Sequence, residues 1–288
     1  MFLRGVVKST LTIFWTGLLL PLQLLALKTS SPLARHLPLL YHRGAARILG
    51  LHITISGQPC TTDPVLYVAN HASWLDIVAL GSILKAGFIA KHEVADWPGF
   101  GLLAKLQQSI FIDRSRHQIR TGTDQVSAHL ATGKSLILFP EGTSNDGISI
   151  LPFQSSFFSV AEQTPGGPAL PVQPVSIRYT HRAGLPLVRS QMPAIAWYGD
   201  MFLMPHLWQL FCEGGGIDVV LNFHAPADMA QFNSRKALAK HCYDVVRDGG
   251  DIPDRSGLPQ AGSWQSGVQC ACSGQKPDRG PLTNCVVR

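Results

Sequence analysis

Val65-Leu66-Tyr67-Val68-Ala69-Asn70-His71-Ala72-Ser73-Trp74-Leu75-Asp76 is the stretch on which the reading of this chain turns. Its five leading apolar residues read as a buried strand. The strand ends by delivering an imidazole, with a carboxylate five residues further on. A base near neutral pKa and an acid group to hold its tautomer are the minimum equipment for taking a proton from a hydroxyl. On one continuous helix a five-residue separation puts two side chains about 140° apart, since each residue turns roughly 100°. His71 and Asp76 therefore meet only if His71 precedes a helix and Asp76 sits in its first turn. Ser73-x-x-Asp76 supports that arrangement, because it has the form of a capping box. A helix N-terminus also disfavours imidazolium, which suits a neutral base. The same residues fit a plainer account, in which Asp76 only caps and His71 is a satisfied loop histidine. The pair needs support from the rest of the chain.

Outward from this stretch, short β-branched runs alternate with helix-like ones. The strands expected are 52–56, 65–69, 88–90, 110–112, 136–139, 172–179, 194–198 and 217–223. The helices expected are 74–85, 99–106, 117–132, 157–163 and 234–247. Alternation of this kind predicts an α/β fold, a single mixed sheet flanked by helices. In open α/β sheets ligands bind beyond the carboxyl ends of the strands. Those positions hold Asn70-His71, Lys91-His92-Glu93, Asp113-Arg114 and Pro140-Glu141-Gly142-Thr143-Ser144. A base, cations, a carboxylate and a glycine turn thus fall where a site is expected. Singly, each has a bland explanation as a surface ion pair or a turn.

The chain has 288 residues, 45% of them apolar and 15% charged, a balance that suits a folded core and excludes general disorder. Its net charge of +6 is uneven. Arg4, Lys8, Lys28, Arg35, Arg43 and Arg47 precede the first acid, Asp63, and the remaining 226 residues hold 18 basic and 18 acidic groups. The surplus lies beside Ser9–Leu27, 19 residues without a charge. That length is enough to cross a bilayer, although Pro21 is expected to kink it. A second apolar piece, Leu33–Leu40, follows, so a re-entrant or interfacial helical pair fits as well as a spanning helix. Basic residues there attract anionic head groups at roughly 1 kcal/mol each. No small-x-small cleavage site follows, which argues against a signal peptide. A neutral body without a recognisable binding motif argues against nucleic acid as a partner. We therefore expect membrane-anchoring helices over 1–50, an α/β domain over 51–248 and a disordered tail, rich in Gly, Ser, Pro and Gln, over 249–288.

Other motifs carry less. Gly133-Lys134-Ser135 resembles part of a phosphate loop, but it ends a helix instead of opening one, and Gly133 reads as a helix cap. No Gly-x-Ser-x-Gly elbow is present. The six cysteines show neither pairing nor zinc spacing and read as free thiols in a reducing compartment. A metal held by His71, Asp76 and Glu141 lacks a third ligand at helical spacing. The aromatic segment from Trp197 to Trp208 reads as core or interfacial packing.

Taken in order, Asn70-His71-x4-Asp76, Ile110-Phe-Ile-Asp113-Arg114, Phe139-Pro-Glu141-Gly142-Thr143 and Leu170-Pro-Val-Gln-Pro174-Val-Ser-Ile177 resemble the four blocks of the glycerolipid acyltransferases, which include the 1-acylglycerol-3-phosphate acyltransferases. The resemblance spans about residues 50–225. It implies acyl transfer from a thioester of acyl carrier protein or coenzyme A to a lysolipid hydroxyl, with no further cofactor and no metal. It gives His71 the role of general base and Asp76 that of orienting its ring. It also gives Lys91, Arg114, Glu141 and Gly142 to the acceptor head group, with Thr143 and Ser144 completing the substrate-binding set. It implies a bacterial protein at the cytoplasmic face of the inner membrane. One departure stands out: Ser144 follows Glu-Gly-Thr where relatives acting on glycerol phosphates carry arginine. Together with Gln173-Pro-Val-Ser-Ile177 and Trp197-Tyr-Gly-Asp200-Met201, this is similar to the ornithine-lipid O-acyltransferases, which esterify lyso-ornithine lipid. A lysophosphatidic acid acceptor is the alternative, and a non-catalytic lipid-binding membrane protein is the alternative from another class.

Overall fold

The computed structural model describes residues 1–112, 119–162, 170–250 and 286–287. Two helices come first, α1 (Phe2–Lys28) and α2 (Leu33–Leu49). α1 continues through Pro21 and is long and apolar enough to cross a membrane. α2 extends well past the apolar piece seen in the sequence. Its second half turns Ala45, Ala46 and Leu49 into the core and ends at Gly50, whose φ of +81° closes the helix in the left-handed region.

The domain that follows is built as β1 (Leu51–Gly57), β2 (Leu66–Ala69), α3 (Leu75–Gly81), β3 (Ala86–Lys91), α4 (Phe100–Leu106), β4 (Ile110–Ile112), α5 (Ile119–Ala131), β5 (Ser135–Leu138), α6 (Ser159–Glu162), β6 (Val172–Arg182), β7 (Leu185–Pro186), α7 (Leu203–Cys212), β8 (Ile217–Phe223) and α8 (Arg235–Gly250). The main sheet runs β4-β3-β5-β2-β6-β8-β1. It is mixed: every neighbouring pair is parallel except β6 and β8. β2 and β5 are buried at every residue, as strands covered on both faces must be. One face, through Tyr67, Ile137, Val175, Ile177 and Tyr179, packs on α2, α3 and α7. The other, through Leu66, Val68, Leu136 and Leu138, packs on α5, α6 and α8.

Two expectations are corrected. Residues 194–198 are not a strand. Pro193 and Gly199 bracket them, and they cross the His71 loop instead of joining the sheet: Trp197 N donates to Ala72 O at 2.8 Å, and Ser73 Oγ donates to Ile195 O at 2.7 Å. The aromatic segment after them contains a helix, α7, that the sequence reading left as packing. Of the tail expected over 249–288, Gly249 and Gly250 end α8, Val286 and Val287 pair with β1, and the rest lies outside the described residues.

Because β4, β3, β5 and β2 are parallel neighbours, their carboxyl ends share one edge of the sheet. Lys91 closes β3, Glu141 follows β5 and His71 follows β2. This is the edge at which an open α/β sheet binds its ligands.

Candidate active site

His71 leaves the end of β2 and is held at both its backbone and its ring. Its N–H donates to Glu141 Oε1 at 2.7 Å, and its carbonyl accepts from Asn145 N at 2.9 Å. The turn between Glu141 and Asn145 therefore clasps the backbone of His71. The ring lies flat on Phe139, with centroids 4.0 Å apart and planes 12° apart, and Phe139 stacks in turn near Phe88. Nδ1 meets Asp76 Oδ2 at 2.9 Å. With the Nδ1 proton on that bond, Nε2 is the basic nitrogen.

Asp76 sits in the first turn of α3 and is fully buried. Oδ2 also accepts from Ala72 N at 2.7 Å and Ser73 N at 2.9 Å, which is the reach-back half of a capping box. The other half is shifted by one residue: Ser73 Oγ accepts from Leu75 N at 3.4 Å while donating to Ile195 O, and Asp76 N donates to Ser73 O at 3.0 Å. Capping and orientation of the histidine are thus done by the same carboxylate. Oδ1 accepts from the Tyr179 hydroxyl at 2.6 Å. Upstream, Asn70 donates to Ile177 O at 3.0 Å and accepts from Ile177 N at 2.7 Å, pinning the start of the loop to β6.

Glu141 is placed differently from the expectation that it meets a head group. It is 3% exposed, and Oε2 accepts from Asn145 Nδ2 at 2.5 Å and Leu151 N at 2.8 Å, while Oε1 holds His71. Burial pushes its carboxyl up to about 7, against the pull of those three donors, which favour the ionised form. It is a bracket for the His71 loop. Gly142, at φ +78°, makes the turn beyond it. Thr143 is exposed and Ser144 half-buried on the same turn, and Lys91 is exposed at the sheet edge. Arg114 lies outside the described residues.

The sequence reading missed Phe139, Asn145 and Tyr179. Asn145 carried a faint signal as a second polar group four residues after Glu141. Tyr179 carried another, since Val175, Ile177 and Tyr179 alternate onto one face of β6 and only the last has a hydroxyl.

Residues 52–178, which include His71, Asp76 and Glu141, match the family model described as Acyltransferase. The chain is 40% identical to the lyso-ornithine lipid O-acyltransferase of Brucella abortus (strain 2308) over 237 residues, 80% of this chain and 87% of that protein. This chain belongs to the acyltransferase family. As an acyltransferase it is an enzyme that moves acyl groups, and it is 37% identical to the lyso-ornithine lipid O-acyltransferase of Rhizobium meliloti (strain 1021), with 83% of each chain covered. It is 30% identical to a 1-acyl-sn-glycerol-3-phosphate acyltransferase of Neisseria gonorrhoeae, over 71% of this chain and 77% of that one. The crystal structure of the 1-acyl-sn-glycerophosphate (LPA) acyltransferase PlsC from Thermotoga maritima matches with a TM-score of 0.60 at 24% identity, over 86% and 92% of the two chains. The acyltransferase and that protein share a fold.

Proposed function

We propose that this acyltransferase moves a fatty acyl group from a thioester, carried on acyl carrier protein or coenzyme A, to the free hydroxyl of lyso-ornithine lipid. The observation that carries the reading is the 2.9 Å bond from His71 Nδ1 to a buried carboxylate, which turns Nε2 into a base at the strand edge where a ligand binds. Nε2 takes the hydroxyl proton as that oxygen attacks the thioester carbonyl. The carbonyl π pair moves onto oxygen, and its return expels the thiolate, which takes the proton back from the imidazolium. The thioester supplies the activated carbonyl, so the reaction needs no cofactor. The names of the Brucella and Rhizobium relatives support the acceptor, as does Ser144 in place of a cation on the head-group turn. Lys91, Arg114, Thr143 and Ser144 are the head-group contacts in this reading.

The way α1 is held supports a particular mode of membrane attachment. Lys8 Nζ donates to Leu49 O and Glu213 O, both at 3.1 Å. Trp15 Nε1 donates to Tyr41 O at 3.1 Å, and buried Gln23 donates to Leu106 O at 2.7 Å. Lys8 to Gln23 spans about 22 Å at 1.5 Å per residue. A helix tied to the α/β domain along that length cannot cross a bilayer without drawing the domain in. We read α1 as lying in the membrane plane, with Phe2, Leu3, Ile13, Phe14 and Leu25 exposed to lipid and the N-terminal cations at the anionic surface, on the cytoplasmic face of the inner membrane.

The test gives purified protein lyso-ornithine lipid or lysophosphatidic acid, each with acyl carrier protein and coenzyme A thioesters. Faster transfer to lyso-ornithine lipid is expected, and His71→Ala should lower turnover 10²–10⁴-fold while the protein stays folded. No transfer to either acceptor overturns the reading. Preference for lysophosphatidic acid overturns the acceptor alone.

A further inference from the structure

β6 grips the His71–Asp76 segment at two points. Ile177 holds Asn70 through both of its backbone groups, just ahead of the histidine. Two residues on, and so on the same face of the strand, Tyr179 holds Asp76 from the other side. The register of β6 on β8 shifts immediately afterwards, between Tyr179 and His181, so a bulge directly follows the residue that delivers the phenol, and pairing resumes at His181.

The donors on Asp76 are unevenly shared. Oδ2 takes His71 Nδ1 and two backbone N–H groups, while Oδ1 takes the Tyr179 hydroxyl. Asp76 and Tyr179 are 0% and 3% exposed, so water is a poor substitute for either partner. The phenol stays a donor throughout the working pH range, because burial and the neighbouring carboxylate raise its pKa well above the ordinary value.

From this geometry we infer that Tyr179 is a positioning residue for the base, acting through Asp76 on the orientation and basicity of His71. The inference rests on the reading of His71 as general base. The phenol fixes the plane of the carboxylate and draws charge toward Oδ1. That weakens the hold of Oδ2 on the imidazolium. The titratable groups facing His71 are Asp76 from α3, Tyr179 through Asp76 from β6, and Glu141 from the turn after β5. Glu141 is unchanged in all the variants below, so differences between their profiles do not arise from it.

The test is the pH dependence of kcat and kcat/KM for Tyr179→Phe, which keeps the ring in the core, and for the protein with 3-fluorotyrosine at position 179, whose more acidic phenol is a stronger donor. We expect Tyr179→Phe to lower kcat about ten- to a hundredfold with KM for the acceptor within twofold. The acid limb of its kcat/KM profile should move to higher pH, because a carboxylate missing one donor binds the imidazolium more tightly. Fluorotyrosine should move that limb the other way. A purely structural role lowers the amount of folded enzyme and leaves both limbs in place. If Tyr179→Phe does not fold, the fluorotyrosine arm decides alone. An acid limb that moves in neither protein overturns the inference. His71→Ala separates the two claims. If it retains turnover, the general-base reading falls. If it is inactive while the Tyr179 proteins keep the wild-type limb, only the positioning role falls.

Discussion

Replacing Glu141 by Gln sets burial against hydrogen bonding at one side chain and predicts a particular pH signature. The carboxyl is 3% exposed, and burial moves it from 4.5 in the unfolded chain to about 7. At 1.36 kcal/mol per pH unit, holding it ionised inside the fold costs on the order of 3 kcal/mol. The sign follows from proton binding. Below pH 4.5 the group is neutral in both states and carries no penalty. Between 4.5 and about 7 the unfolded chain releases the proton while the folded chain keeps it, so stability falls as pH rises. Above 7 both states are ionised and the loss levels off. Gln does not titrate. The stability of wild type minus that of Glu141→Gln should therefore fall by about 2–3 kcal/mol between pH 5 and pH 8. Taking the difference cancels the titrating groups that are not coupled to Glu141, including His224, which burial lowers to about 4. Denaturant unfolding in detergent, followed by tryptophan fluorescence at the two pH values, measures it. A difference that is flat, or that grows with pH, refutes the reasoning, because the three donated hydrogen bonds would then outweigh desolvation. The amide also has one acceptor oxygen where the carboxylate serves two sites, the N–H of His71 and the pair from Asn145 and Leu151. Either way round, a donor is left unmatched, and turnover should fall at least tenfold even at pH 8, at about 1–3 kcal/mol per stranded group.

Ser144→Arg returns a cation to the turn clasped to His71, and a charge-assisted bond to phosphate of about 1.5–3 kcal/mol should raise kcat/KM for lysophosphatidic acid relative to lyso-ornithine lipid ten- to a hundredfold. Competition assays with both acceptors measure the ratio, and an unchanged ratio removes Ser144 from the selectivity argument. Gly44→Ala places a methyl inside the Trp15 indole, the contact that seats α1 on α2. Overpacking of this kind costs about 1–3 kcal/mol, so the melting temperature should fall by several degrees and binding to anionic vesicles should weaken. Unchanged flotation with such vesicles would show that α1 binds lipid without its seat on α2.

The alternation of apolar runs and helix-forming stretches made the α/β class legible, because burial on a sheet has a period of two and on a helix 3.6. The positions of His71, Lys91 and Glu141 after strands were legible for the same reason. Where legibility failed, the cause was local pattern meeting distant context. Residues 194–198 have strand composition, yet they bond to Ala72 and Ser73, more than a hundred residues upstream. α2 outruns its apolar piece because its last turns bury small alanines, which a hydropathy run does not register.

By itself, the sequence determined that His71 and Asp76 can meet at all, since a strand end and a capping helix turn bring five-residue neighbours together through local backbone geometry. It also placed the apolar N-terminal helix beside its cations. The tertiary structure alone decided what holds the pair. Sheet order puts β6 beside β2, so Tyr179 reaches Asp76 over a sequence separation of 103, and β5 beside β2 on its other side, so Glu141 turns inward onto the backbone of His71. Periodicity along a chain records which face of a strand is buried. Which partner it meets there is set by which strands become neighbours, and that is a property of the whole fold.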